Sequence, residues 1–181
     1  MIYCFLASGF EETEAVATVD TVRRGDLDVT TVGIGGRVVI GNHSIPVVAD
    51  IADTDLGDLS DMTGIILPGG IPGTLNLEKS PLVMHCIDYA ADNNLMISAI
   101  CAAPSILGKR GLLAGKRATC FEGYEVFLDG AAVTGGRVEA DGNIITGKAV
   151  GTAIEFGIEI IRYFSGDAKA EAIKRAMQCK E

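Results

Sequence analysis

Short apolar runs alternate with longer stretches of helical periodicity along this chain, and that alternation leaves few ways to fold. Ile2-Ala7 precedes a helix-like Glu11-Arg24, then Val29-Ile34; Ile65-Leu67, a helical Pro81-Asn93 and Leu95-Ile100 repeat the pattern. Strands separated by helices long enough to act as crossovers predict an α/β fold with a parallel central sheet covered by helices.

Two departures from the repeat are expected. Arg37-Gly41 and Ser44-Ile51 flank Gly41-Asn42-His43 and read as a hairpin at one edge of the sheet. Arg117-Cys120, Ala131-Thr134, Val138-Ala140 and Asn143-Thr146 read as further short strands, the last two joined by an Asp141-Gly142 turn. A long helix over Gly151-Phe164 carries a polar stripe of Glu155, Glu159 and Arg162. A charged helix over Asp167-Gln178 follows, after Ser165-Gly166. With 181 residues, 48% hydrophobic and no linker or repeat, one domain over residues 1–181 is expected.

Composition narrows the function. Fifteen basic residues against 24 acidic ones give a net charge of −9, and no basic cluster exceeds Arg23-Arg24 or Lys109-Arg110, so a phosphate-tracking surface is not expected. Nucleic acid enters only as a glycated substrate. No apolar stretch reaches the roughly 18 residues of a membrane span, and Met1-Ala7 reads as a core strand, not a leader. Five cysteines without CxxC spacing predict reduced thiols in a cytoplasmic protein and no metal site.

The chemistry is concentrated at Cys101. The apolar strand Leu95-Ile100 ends abruptly at this cysteine, and a helix opens within Ala102-Ala103-Pro104, the arrangement of a nucleophile elbow. A lone cysteine is more often a packing residue; at this turn, free N–H groups of the following helix favour the anion. The thiol is therefore expected well below its usual value of about 8.5. If the first four parallel strands run in the order 2-1-3-4, three loops converge at the carboxyl edge. They are Ser8-Glu14, Pro68-Gly73 and Cys101-Ala102. The N–H groups of Gly70 and Ala102 could there hold an oxyanion. Glu11 and Glu12 read as partners of the helix dipole; Glu14, one turn in, reaches toward the thiol, and the pair is expected to keep one proton, on Glu14.

With those residues in place the chain resembles the ThiJ/PfpI superfamily, in its branch of parkinsonism-associated deglycases and glyoxalases. The likeness is carried by Gly9-Arg24, Gly64-Gly70, Ile97-Leu107 and Gly147-Ile161. It implies a flavodoxin-like three-layer sandwich related to class I glutamine amidotransferases, usually a homodimer with subunit contacts through the first helix and the Gly151-Phe164 helix. It further implies Cys101 as nucleophile or oxidisable thiol, Glu14 as its acid, Gly70 and Ala102 as backbone donors, and no cofactor. Two activities follow: glutathione-independent conversion of methylglyoxal or early glycation adducts, and oxidative-stress sensing with chaperone action. Where several relatives place a histidine this chain has Cys120, a candidate second thiol that could resolve an oxidised Cys101. His43 and His85 are assigned to surface or packing positions, and an amidotransferase or peptidase reading ranks last because it needs a histidine base.

Overall fold

The computed structural model describes residues 1–179. In chain order the strands and helices are β1 (Ile2–Leu6), α1 (Glu12–Arg24), β2 (Val29–Gly33), β3 (Val38–Ile40), β4 (Pro46–Val48), β5 (Ile51–Ala52) and β6 (Gly64–Leu67). There follow α2 (Gly73–Lys79), α3 (Pro81–Asp92), β7 (Met96–Ile100), α4 (Pro104–Lys109), β8 (Arg117–Ala118), β9 (Ala132–Val133), β10 (Val138–Asp141), β11 (Ile144–Gly147) and α5 (Ala153–Ala176). The central sheet has the order β10-β11-β7-β6-β1-β2-β5. All its pairings are parallel except β10 with β11. β6 thus lies between β1 and β7, as the expected 2-1-3-4 order requires.

Both faces of the sheet are covered, which is why β1, β6 and β7 are apolar without alternation. Ile2, Cys4 and Leu6 pack with Ala15, Val19 and Val22 of α1 and with Phe156 and Ile160 of α5. Tyr3, Phe5 and Ala7 point the other way, to Leu77 of α2, Val83, Cys86 and Ile87 of α3, and Ile106 and Leu107 of α4. The fold is a mostly parallel central sheet between two helical layers. α1 and α5 approach closely because Gly157 has no side chain: a Cβ there would sit 2.7 Å from Cβ of Thr21.

Helix starts follow local chemistry. Ser80 caps α3 by accepting from the Val83 N–H at 3.4 Å, with Pro81 in the first turn, where its missing donor costs nothing. Glu11 caps α1: its Oε2 accepts from the Glu14 N–H at 2.6 Å.

The structure refines several sequence readings. β3 and β4 form the expected antiparallel hairpin, but Ile51 leaves it to pair with Val32 at the sheet edge. β8 and β9 stand outside the main sheet as a separate two-stranded ladder. Helix α2 was not expected, because its seven residues are too few for a periodic signal. The two C-terminal helices run as one element interrupted at Gly166, whose φ of 79° breaks the helical path at the Ser165-Gly166 boundary.

Candidate functional site around Cys101 and Glu14

Cys101 leaves β7 with a φ of 65°, a left-handed backbone that a non-glycine residue adopts only when its surroundings hold it there. Those surroundings are specific. The Cys101 N–H donates to the Gly147 carbonyl of β11 at 2.9 Å, and the Cys101 carbonyl accepts from the Phe121 N–H at 2.8 Å. Just beyond, the Ser105 hydroxyl donates to the Ala102 carbonyl at 2.7 Å. The side chain is thereby turned out of the strand, half-buried, at the carboxyl edge.

Glu14 is 1% exposed and meets the sulfur from the first turn of α1. Its Oε2 accepts from the Gly69 N–H at 2.9 Å. Its Oε1 is buried with no N–H or O–H donor, leaving the Cys101 thiol as the polar group beside the carboxyl. The close approach depends on Gly69, where a Cβ would lie 2.7 Å from both Cβ of Cys101 and Oε2 of Glu14. Gly70 follows with φ 88°, and its N–H faces the sulfur together with that of Ala102. The structure therefore brings together Cys101, Glu14, Gly70 and Ala102, from three loops that the sequence reading placed at one edge.

The protonation of the pair differs from the sequence expectation. Burial, then the facing Glu14 carboxylate, push the Cys101 thiol up to about 12; the N–H groups of Ala102 and Gly70 act in the opposite direction but are outweighed. Burial likewise raises Glu14 to about 7, against the hydrogen bonds from Cys101 and Gly69. A thiol depressed by the following helix was expected, with the last proton on Glu14. Instead, α4 starts only at Pro104, and desolvation exceeds what two N–H groups return. Burial raises both groups, so the Cys101 thiol and the Glu14 carboxyl hold their protons as a coupled pair.

The remaining candidates sit elsewhere. Cys120 is 2% exposed and belongs to the apolar layer of α2, α3 and α4, whereas Cys101 packs against the α1 and α5 layer. Cys120 adjoins the site through the backbone, because the N–H of the next residue, Phe121, donates to the Cys101 carbonyl. Burial pushes the Cys120 thiol up to about 11. His85 lies on α3. His43 sits at the hairpin tip, with Nδ1 3.1 Å from Glu12 Oε2 and 3.8 Å from Glu11 Oε1. Glu11, Glu12 and His43 thus form a cluster of metal-ligating types that the sequence, with 30 residues between, did not reveal. Glu12 Oε1 accepts the backbone N–H groups of His43 and Ile45 there.

These protonation states set a pH dependence. Below about pH 7 both groups hold protons; above it Glu14 is ionised and can accept the thiol proton as sulfur reacts. Alkylation of Cys101 by iodoacetamide, followed by mass measurement, should therefore accelerate with rising pH through about 7 and then level off. In Glu14→Gln that step should vanish, leaving a rise at higher pH and a rate at neutral pH at least about tenfold lower.

Comparison with known proteins was consistent with this geometry. Residues 1–163 match the model of the DJ-1/PfpI family. The chain is 31% identical over 180 residues to the Parkinson disease protein 7 homolog of Danio rerio, covering 97% of this chain and 95% of that protein. It is 32% identical over 177 residues to the glutathione-independent glyoxalase DJR-1.2 of Caenorhabditis elegans, covering 92% and 89%. Protein DJ-1 homolog B of Arabidopsis thaliana is 37% identical over 171 residues, but this chain spans only 38% of that longer protein. Among solved structures, a DJ-1 superfamily protein from Salmonella typhimurium superposes with a TM-score of 0.91 at 30% identity, covering 99% of this chain and 98% of that one. Drosophila melanogaster DJ-1beta gives 0.91 at 28% identity with the same coverage. The sheet order, the elbow cysteine and the sequence match agree, and the chain belongs to the DJ-1/PfpI family.

Proposed function

We propose that this protein is a cofactor-independent enzyme of the glyoxalase or deglycase type, acting on methylglyoxal or an early glycation adduct through Cys101. The observation that carries the reading is a buried carboxyl group that interacts with the half-buried Cys101 thiol and keeps one oxygen without a hydrogen-bond partner. A purely structural acid would be matched with N–H or O–H donors.

The chemistry follows from the positions. Glu14 takes the thiol proton as sulfur adds to the aldehyde carbon, and the N–H groups of Gly70 and Ala102 hold the resulting oxyanion. After protonation this is a hemithioacetal. Glu14 then moves the proton from the former aldehyde carbon to the neighbouring ketone carbon. The first carbon is oxidised to a thioester and the second reduced to an alcohol, so no external oxidant is needed. Water releases lactate and restores the thiol. With an adduct on a protein amine or thiol, collapse of the adduct breaks its C–N or C–S bond, returns the hydroxyl proton to the freed amine or thiol, and presents the regenerated aldehyde to Cys101 for the same addition.

A second reading, redox sensing, is favoured by one contrast: Cys101 and Cys179 are half-buried whereas Cys4, Cys86 and Cys120 are buried, and of the two half-buried thiols Cys101 has Glu14 and the Gly70 and Ala102 N–H groups beside it. Peroxide would convert Cys101 to a sulfinate whose oxygens meet Glu14 and the two N–H groups. Purified protein given methylglyoxal without glutathione should form lactate, and Cys101→Ala and Glu14→Gln should each lower the rate by at least about a hundredfold, within the span expected for acid-base and nucleophilic groups. Absence of lactate, with mass gain at Cys101 under mild peroxide, would replace the enzyme reading by the sensor.

We also propose that the functional unit is a homodimer in a reducing, cytoplasmic setting. No helix among the described residues is long and apolar enough to cross a membrane. Val16 of α1 and Ile40, Ile45 and Val48 of the hairpin are 45–66% exposed, a concentration of large apolar side chains that a second copy would cover. Val16 and Ile154 keep part of the α1 and α5 faces exposed, so those helices and the hairpin together offer the surface for the proposed contact. Sedimentation should report a dimer, and Ile45→Glu combined with Val48→Glu should yield monomer.

A further inference from the structure

Glu12 is 5% exposed, an uncommon position for a carboxylate at the start of a helix. The sequence assigns it to the helix dipole, but its oxygens turn away from α1 to the hairpin tip. Oε1 accepts from the His43 N–H at 2.8 Å and the Ile45 N–H at 3.2 Å, and Oε2 lies 3.1 Å from His43 Nδ1. These donors hold Glu12 below the usual carboxylate range despite its burial. Gly41 leaves the space: a Cβ there would run into Cδ of Glu12.

From this point backbone hydrogen bonds, joined by short stretches of chain, link the hairpin to the loops around the sulfur. The Gly9 N–H donates to the Ile40 carbonyl at 2.8 Å, and the Asn42 N–H to the Phe10 carbonyl at 2.7 Å, so the hairpin grips the loop before α1. That loop grips the next: the Glu11 N–H donates to the Gly69 carbonyl at 2.9 Å, and the Gly73 N–H to the Gly9 carbonyl at 3.0 Å. Gly69 in turn donates to Glu14, and the Gly70 N–H faces Cys101. The other charged group beside Glu12 is Glu11, which caps α1 through the Glu14 N–H.

We propose that Glu12 is a positioning residue for the Cys101 and Glu14 pair: its carboxylate pins the hairpin tip, and the pinned tip fixes the two loops that aim Gly69 and Gly70. The inference rests on the reading of Cys101 and Glu14 as the reactive pair, but its readout is sulfur reactivity and requires no turnover. Losing the pin would loosen the Gly69 N–H from Glu14, and a carboxylate deprived of a donor gives up its proton at higher pH.

The test compares Glu12→Ala, Glu12→Gln and Gly41→Ala with the parent protein, by iodoacetamide alkylation of Cys101 across pH and by hydrogen exchange of the Gly69 and Gly70 amides. In Glu12→Ala the pH step should move up by about one unit, lowering the neutral-pH rate about fivefold, with faster exchange at both amides. Glu12→Gln, which keeps an oxygen for the two backbone donors, should restore the rate to within about threefold of the parent. Gly41→Ala, which displaces the carboxylate without removing it, should behave as Glu12→Ala and decides the matter if that variant fails to fold. A folded Glu12→Ala or Gly41→Ala with the parent's step and exchange rates would overturn the proposal. A parent protein lacking any step near neutrality would instead count against the Cys101 and Glu14 reading itself.

Discussion

The site depends on a backbone clamp at the end of β7. Cys101 occupies a conformation that costs about 1–3 kcal/mol for a residue with a side chain. What maintains it is adjacency: β11 receives its N–H and the Phe121 segment supplies a donor to its carbonyl. Neither partner is near in sequence, so the parallel crossovers must be complete before the cysteine can turn outward. The sheet order, which sets β11 on one side of β7 and β6 on the other, decides both where the sulfur goes and which loop meets it.

Once turned out, the sulfur enters surroundings that are poor for any charge. Desolvation raises both the thiol and the acid beside it, and two buried groups that cannot both ionise share their protons as a unit. In the proposed chemistry, that coupling keeps a proton between the Cys101 thiol and the Glu14 carboxyl until sulfur reacts. Such an arrangement restricts adventitious reaction while leaving a short path for the proton when an electrophile arrives.

Much of this was legible from the residues. The strand-cysteine-helix junction at Ile100-Cys101-Ala102, the Gly69-Gly70 pair and the acid at position 14 each carry a local signature, and the parallel order placed them together. The readings that needed correction depended on distance and dielectric. How strongly burial opposes ionisation cannot be seen in a linear string, so the thiol was expected low and is high. Glu12 resembled an ordinary first-turn acid, and only the folded hairpin shows that its partners are backbone donors 31 and 33 residues away. Helix α2 and the edge pairing of Ile51 are too short to produce any period.

The ends of the central sheet differ in a way that bears on the fate of the molecule at high concentration. On one side the last strand, β5, contributes only Ile51–Ala52, and the acids Asp53 and Asp55 follow at once in a tight turn. An open strand of usual length would offer a row of free N–H and C=O groups on which another chain could build. Here that row is two residues long and ends in negative charge on a molecule already carrying an excess of it. Ladder growth from one molecule to the next therefore has almost no template on this border.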